Sequence, residues 1–418
     1  MNSDLTQGVS RRSFMRILGA ASAAATSLPA LALQQPAAPA GQQRARRGMS
    51  DMGEMRQLSP DTVIISSNEN PLGPAQSSMT AICDTAKLGG RYHGEETMKT
   101  LTVFNEQFGL KRGYAGLFPG SGGPLDLALM SNIGPDKPLV YGDPSYEQGP
   151  RAAETMGAPK FPVPLTATYA HDVKAMLKAH PSPGAYYIVN PNNPTGTMTP
   201  KADIVWLLDN KPKGSVVIVD EAYHHFSNDE SVIDQVALDK DIIVLRTFSK
   251  IYGMAGLRAG FAVARPDLLE KFSTVARPAR SLASISITSA AGARAGLLDK
   301  DLVPLRKKIN SDVRADTLEF LTKHGYKIIP GSQANMFMVD VKRPGREFQQ
   351  AMLKENVAIG RTWSAMPNYV RVTVGTKDEM AKFQTAFVKC MDMPPGTVNG
   401  AAALHLPEFH IPTELYRG

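Results

Sequence analysis

The stretch DIIVLRTFSKIYGMAGLRAGFAVA, residues 241–264, decides the fold class. It holds two apolar runs, DIIVLRTFS (241–249) and RAGFAVA (258–264), separated by a glycine-bearing segment that carries Lys250. Runs this short and apolar throughout, without alternation, are typical of strands in a sheet covered on both faces. KPLVYGD (137–143), AYYIVN (185–190) and SVVIVDE (215–221) repeat the pattern, each bounded by Gly, Pro, Asp or Lys. Between the runs, GPLDLALMSNI (123–133), PKADIVWLLDN (200–210) and RPDLLEKFSTVA (265–276) read as helices. Several of them start on a Pro or Asp suited to a first turn. Strands alternating with helices on this scale predict an α/β fold: a three-layer α/β/α large domain around a mostly parallel sheet.

The rest of the chain changes character. LVPLRKKINSDVRADTLEFLTKHG (302–325) reads as a long amphipathic helix, and TKDEMAKFQTAFVKCM (376–391) as a closing one. YKIIP (326–330), NMFMVDV (335–341) and YVRVTVG (369–375) read as strands, so a small α+β domain is expected here. At the other end, Arg11 and Arg12 precede Phe14 and an alanine-rich, weakly apolar stretch that ends on the small-residue site Ala30-Leu31-Ala32. Those features read as a twin-arginine export signal, an address delivered to the twin-arginine translocation machinery rather than a membrane anchor. The expected location is periplasmic or secreted. The expected organisation is a signal peptide over 1–32, a flexible linker over 33–59 and an N-terminal arm over 60–75. The large domain follows over 76–298, the small domain over 299–392 and a loop-like extension over 393–418.

Composition narrows the function classes. A chain of 418 residues with 43% hydrophobic and 20% charged residues has material for a large core. The net charge of +7 is mild and includes the N-terminal Arg44, Arg46 and Arg47; no basic run is interleaved with aromatics, so nucleic acid is not an expected partner. Cys83 and Cys390 are too few for a disulfide framework or a thiolate metal site.

In open parallel sheets, ligands bind beyond the carboxyl ends of the strands, and the residues following each apolar run are distinctive. AYYIV leads into NPNNPTG (190–196), SVVIV into DEAYHHF (220–226), and DIIVLR into Lys250. Singly, these read as a turn-rich loop, a capping pair of acids and a solvated lysine. The acidic pair alone would also suit an ATPase, but the phosphate-cradling G-x-x-x-x-G-K-[ST] run is missing from the sequence. In this order the segments describe a pyridoxal phosphate site. The cofactor needs an amine to bind it covalently and to carry protons, which suits Lys250, hemmed in by Phe248, Ile251 and Tyr252. Partial desolvation eases loss of that amine's proton. The ring nitrogen must stay protonated, which a buried Asp220 would ensure. The phenolic oxygen needs hydrogen-bond donors, supplied by Asn193 and Tyr223. The phosphate needs a cation, hydroxyls and backbone N–H groups. Arg258, Thr247 and Ser249 supply the first two, and the turn PGSGGPLDLAL (119–129), with Ser121, Gly122 and Gly123, supplies the third.

The span from about residue 60 to 391 resembles the fold-type I pyridoxal-phosphate aminotransferases. Within them it most resembles the histidinol-phosphate aminotransferase branch, through SSNENPLGPA (66–75), NPNNPTG, DEAY, FSKIYGMAGLRAGF (248–261), SQANMFMV (332–339) and YVRVTVGTKDEM (369–380). The resemblance implies that Tyr146 in DPSYEQ stacks on the cofactor ring. It implies that Tyr92 in RYHGEE reaches the phosphate of a neighbouring subunit's cofactor, making the active unit a homodimer. It places Arg371 on the substrate α-carboxylate, with Arg361 in AIGRTW and Asn68 also facing substrate. Two stretches depart from the branch. Gly122 stands where an acidic residue is usual, and RPARSLAS (277–284) replaces a proline-tyrosine-asparagine pattern. Both bear on the substrate more than on the reaction, as does the export signal, because histidinol phosphate is a cytoplasmic intermediate. The expected enzyme is an exported, ping-pong aminotransferase acting on an amino donor and a 2-oxo acid. A decarboxylase or lyase on the same scaffold and a non-catalytic ligand-binding homologue are the alternative readings.

Overall fold

Five of the apolar runs form the middle of one seven-stranded sheet in the computed structural model, which describes residues 58–275 and 285–396. The strands among the described residues are β1 (Val63–Ile65), β2 (Ala115–Phe118), β3 (Leu139–Asp143), β4 (Lys160–Pro164), β5 (Ala185–Val189), β6 (Val216–Asp220), β7 (Ile242–Thr247), β8 (Gly260–Val263), β9 (Met336–Asp340), β10 (Val357–Ile359) and β11 (Tyr369–Thr373). The large sheet runs in the order β2-β8-β7-β6-β5-β3-β4. Only β8 is antiparallel to its neighbours, β2 and β7. The carboxyl ends of β2, β3, β5, β6 and β7 therefore share one edge, and β8 begins at that same edge.

The apolar character of the central strands follows from their position. Every residue of β5, β6, β7 and β8 is buried, with one hydrophobic cluster on each face of the sheet. Met176, Ile204 and Leu207 from helices Val173–Ala179 and Lys201–Asn210 pack on one face. Leu125, Leu129 and Phe272 from helices Gly122–Met130 and Pro266–Val275 pack on the other. Ile218, at the centre of β6, is fully buried. Ile218→Val is expected to cost about 1 kcal/mol, read as a lower urea midpoint at unchanged slope.

A third core gathers around β9, β10 and β11 and helices Leu302–Lys323, Gly345–Lys354 and Lys377–Asp392, with Phe337, Phe348, Phe383 and Phe387 at its centre. Two findings here depart from the sequence-based expectation. The segment expected as an arm carries β1, which pairs in parallel with β10 and adds Val63 and Ile65 to this core. The strand expected over YKIIP reduces to a single bridge, Ile328 to Val339, on the edge of β9 that β11 leaves open. The closing helix starts on a capping box between Thr376 and Glu379, satisfying two backbone N–H groups that would otherwise be orphaned. Cys83 is exposed, Cys390 is buried, and the two are not joined. No helix among the described residues is long and apolar enough to cross a membrane. The signal over 1–32, the linker up to residue 57, the 277–284 stretch and the extension beyond Gly396 lie outside the described residues.

Candidate active site

Adjacent carboxylates at the end of β6 are sorted by the pleat of the strand, since successive side chains leave on opposite faces. Glu221 turns to Arg246, whose Nε lies 2.8 Å from Glu221 Oε2. Burial alone would raise the Glu221 carboxyl, but the Arg246 charge and hydrogen bonds from Ser231 and Val232 outweigh it and hold the group below its ordinary value. This pair is structural. Asp220 leaves on the other side, accepting from the Ala222 N–H at 3.0 Å and from the Tyr187 hydroxyl at 3.4 Å. It is 5% exposed. Burial pushes its carboxyl up to about 6, against the pull of the Ala222 N–H, the Tyr187 hydroxyl and the positive charge of Lys250. A carboxyl this buried, with so few donors of its own, is matched to a cationic partner.

Lys250 follows β7 and is half-buried. Its ammonium donates to the Ser67 carbonyl at 3.2 Å and lies 5.5 Å from the centre of the Tyr223 ring. The Tyr223 hydroxyl accepts from Asn68 Nδ2 at 3.1 Å and from Asn193 Nδ2 at 3.5 Å. Asn68, Asn193 and Tyr223 are all buried. Asn68 is held in the left-handed region (φ 53°) by Thr373, which accepts its backbone N–H at 2.9 Å and donates to its Oδ1 at 3.0 Å. An Asn pays less for that conformation than most residues, and its position is over-determined by its partners.

A second cluster sits at the start of β8. Arg258, also left-handed (φ 55°), donates to the Ala255 carbonyl at 2.8 Å, to Ser249 Oγ at 3.4 Å and to the Pro119 carbonyl at 3.4 Å. Thr247 Oγ1 donates to Ser249 Oγ at 2.9 Å. Gly120, at φ 83°, is required for this approach: a Cβ there would overlap Arg258 Nη2. Ser121 caps helix Gly122–Met130 without a side-chain capping bond, so this end combines a guanidinium, two hydroxyls and a helix N-terminus, a set suited to a phosphate. The carbonyl of Gly122 accepts from Gln148 Nε2 at 2.7 Å, and Gly123 has open space above its Cα. Tyr146 packs against the apolar cluster beside Tyr187.

The third group lies on β11 and the loop before it. Arg371 is buried, donating from Nη1 to Asn193 Oδ1 at 2.8 Å and from Nη2 to the Ser66 carbonyl at 2.5 Å. Its guanidinium lies 5.4 Å from the centre of the Trp363 ring, and that of Arg361 lies 4.9 Å from the same ring. Hydrogen bonds thus join Arg371 to Asn193, Asn193 to Tyr223 and Tyr223 to Asn68. Tyr92 stands apart, fully exposed ahead of helix Gly94–Phe108. Tyr187, Trp363, Glu147, Thr373 and the Ser66 and Ser67 carbonyls were not singled out by the sequence reading. Tyr187 and Trp363 look like core residues in a sequence, and a carbonyl leaves no mark there at all.

The arrangement fits pyridoxal phosphate on its donor set: a buried carboxylate within the field of a lysine amine, an amide hydrogen-bonded to a phenol whose ring lies near that amine, and a cationic glycine-cradled end. Comparison with known proteins agrees. The family model for aminotransferase class I and II matches residues 60–387. Histidinol-phosphate aminotransferase 1 of Nitrosococcus oceani is 33% identical over 77% of this chain and 86% of its own. The aromatic amino acid aminotransferase of Cutibacterium acnes is 31% identical over 76% of this chain and 90% of its own. Histidinol-phosphate aminotransferase from Sinorhizobium meliloti, solved in complex with pyridoxal-5'-phosphate, shares the fold with a TM-score of 0.70 at 22% identity, over 78% of this chain and 90% of that one. The chain belongs to the class I and II aminotransferases and is a transaminase that uses pyridoxal phosphate.

Proposed function

We propose that the chain moves an amino group between an amino acid or other amino compound and a 2-oxo acid in two half-reactions at this one site, with donors of the histidinol-phosphate or aromatic aminotransferase type. The observation that carries this reading is the buried Asp220 carboxyl lying within the field of the Lys250 amine. When bound, pyridoxal phosphate supplies a cationic ring that draws electrons from the substrate α-carbon. Asp220 holds the proton on the ring nitrogen. Asn193 and Tyr223 hydrogen-bond the phenolic oxygen, and Tyr146 covers the ring. Arg258, Thr247, Ser249 and the backbone over 121–123 hold the phosphate. Arg371 fixes the donor carboxylate by paired hydrogen bonds, with Asn68 and Arg361 beside it. With the cofactor bound, the Lys250 amine would be its point of attachment and the base that takes the α-proton from the donor and returns it. The decisive experiment adds donor to cofactor-loaded enzyme without any acceptor. One 2-oxo acid per site is expected; release of CO₂, or of ammonia without an oxo acid, would instead favour a decarboxylase or lyase.

Two further parts of the reading concern assembly. Exposed Leu72, Met79, Leu88 and Met98 surround exposed Tyr92 in the chain and support a homodimer in which Tyr92 reaches the partner's phosphate site. Light scattering showing an active monomer would end that reading. The paired arginines at Arg11 and Arg12 support export of an already folded enzyme; activity confined to the cytoplasmic fraction would end that one.

Gly120→Ala tests the phosphate end. The substitution is strained at φ 83° and displaces Arg258, so pyridoxal phosphate is expected to bind about tenfold more weakly, measured by equilibrium titration of cofactor-free protein.

A further inference from the structure

The loop after β3 and the loop before β11 are bolted together at two points. Trp363 Nε1 donates to the Ser145 carbonyl at 3.0 Å, and Arg361 Nη1 lies 3.0 Å from Glu147 Oε2. Between these bonds stands Tyr146, and beneath Arg361 lies the Trp363 ring that Arg371 shares. The same Glu147 oxygen also takes Arg151 Nη2 at 3.0 Å. Arg361 is thus the second cation at the substrate end, and a carboxylate of the protein already engages it.

The physical consequence depends on exposure. The side chains of Arg361 and Glu147 are 21% and 34% exposed, so their attraction is partly screened and a substrate anion can compete with it. A donor with a second anionic group must displace Glu147 or lie close to it, meeting like-charge repulsion in either case. A donor with one carboxylate and an uncharged side chain meets neither cost. Selectivity of this kind comes as much from the repulsive element as from the attractive one.

Resting on the reading that Arg361 faces substrate, we infer that Glu147 is a specificity-determining residue. By holding Arg361 it favours donors with a single carboxylate and an uncharged body over dicarboxylates and phosphate monoesters. It acts through Arg361 and is not a catalytic residue.

The test uses the cofactor-loaded full chain and compares Glu147→Gln, Arg361→Gln and the double variant with wild type. Phenylalanine and leucine serve as neutral donors; glutamate and phosphoserine, each with a second anionic group, serve as anionic ones. For Glu147→Gln, the ratio of kcat/KM for anionic over neutral donors is expected to rise roughly fivefold, through KM, since an exposed pair of this kind is worth about that factor. The rise should vanish in the double variant. An equal change for both donor classes would mark Glu147 as merely structural and overturn the inference, as would an unchanged ratio while Arg361→Gln still alters the anionic donors. If neither single variant alters any donor, the reading of Arg361 falls along with it. A wild-type enzyme that transaminates none of the four donors would sink both.

Discussion

Lys250→Ala is expected to lower kcat by about 10⁴-fold or more, because in the proposed function it removes both the attachment point of the cofactor and the base that moves the α-proton. The side chain donates a hydrogen bond to the Ser67 carbonyl and is half-buried. Its loss should therefore leave the fold intact, with cofactor still retained through the Arg258 and Asp220 ends. Lys250→Arg separates charge from chemistry. A guanidinium keeps the positive charge but stays protonated at any working pH, so this variant should be as inactive as the alanine one. Borohydride treatment followed by intact-chain mass measurement gives an independent readout: the wild type should gain the mass of the cofactor less one water plus two hydrogens, and neither variant should. A variant keeping more than about a hundredth of wild-type turnover would remove Lys250 from its role.

How much of this was legible in the sequence follows from what each residue does. Four of the five central runs were readable because β5 to β8 are buried on both faces and tolerate no polar alternation. The outer strands of the same sheet were not. β4, with its two prolines and exposed alternate residues, looks like a loop, and Pro is tolerated there only because the strand is an edge. β1 and β10, three residues each, are too short to show any period. The candidate site residues that stand out in the sequence are those whose chemistry is rare beside an apolar run: Asn193, Asp220 and Lys250 after one, Arg258 at the start of one. Glu147 remained hidden because an acid after an aromatic, in a turn, is indistinguishable from solvated surface until Arg361 is seen beside it. The sorting of Asp220 from Glu221 was equally invisible, since it depends on which face of β6 carries Arg246.

Asp220 yields the other large effect, with opposite signs for stability and for catalysis. Asp220→Asn is expected to lower kcat/KM by on the order of 10²–10³-fold, the usual cost of removing one buried electrostatic partner from a developing charge. Without cofactor, however, the carboxylate is a burden on the fold. Its carboxyl is pushed up to about 6 from an ordinary 3.8. Between those values the folded chain binds the proton more tightly than the unfolded one. The favourable contribution is thus complete below pH 3.8 and lost as pH rises through 6. Two units correspond to about 3 kcal/mol as an upper figure. Cofactor-free Asp220→Asn should accordingly be more stable than wild type at pH 7.5 and indistinguishable from it near pH 4, as read by urea midpoints across that range. With pyridoxal phosphate present, the ionised carboxylate gains a cationic partner and the wild type should recover the advantage at pH 7.5. Midpoint curves that stay parallel from pH 4 to 7.5 without cofactor would mean that the carboxylate is already satisfied by the chain, and the case for a ring cation held at Asp220 would fail.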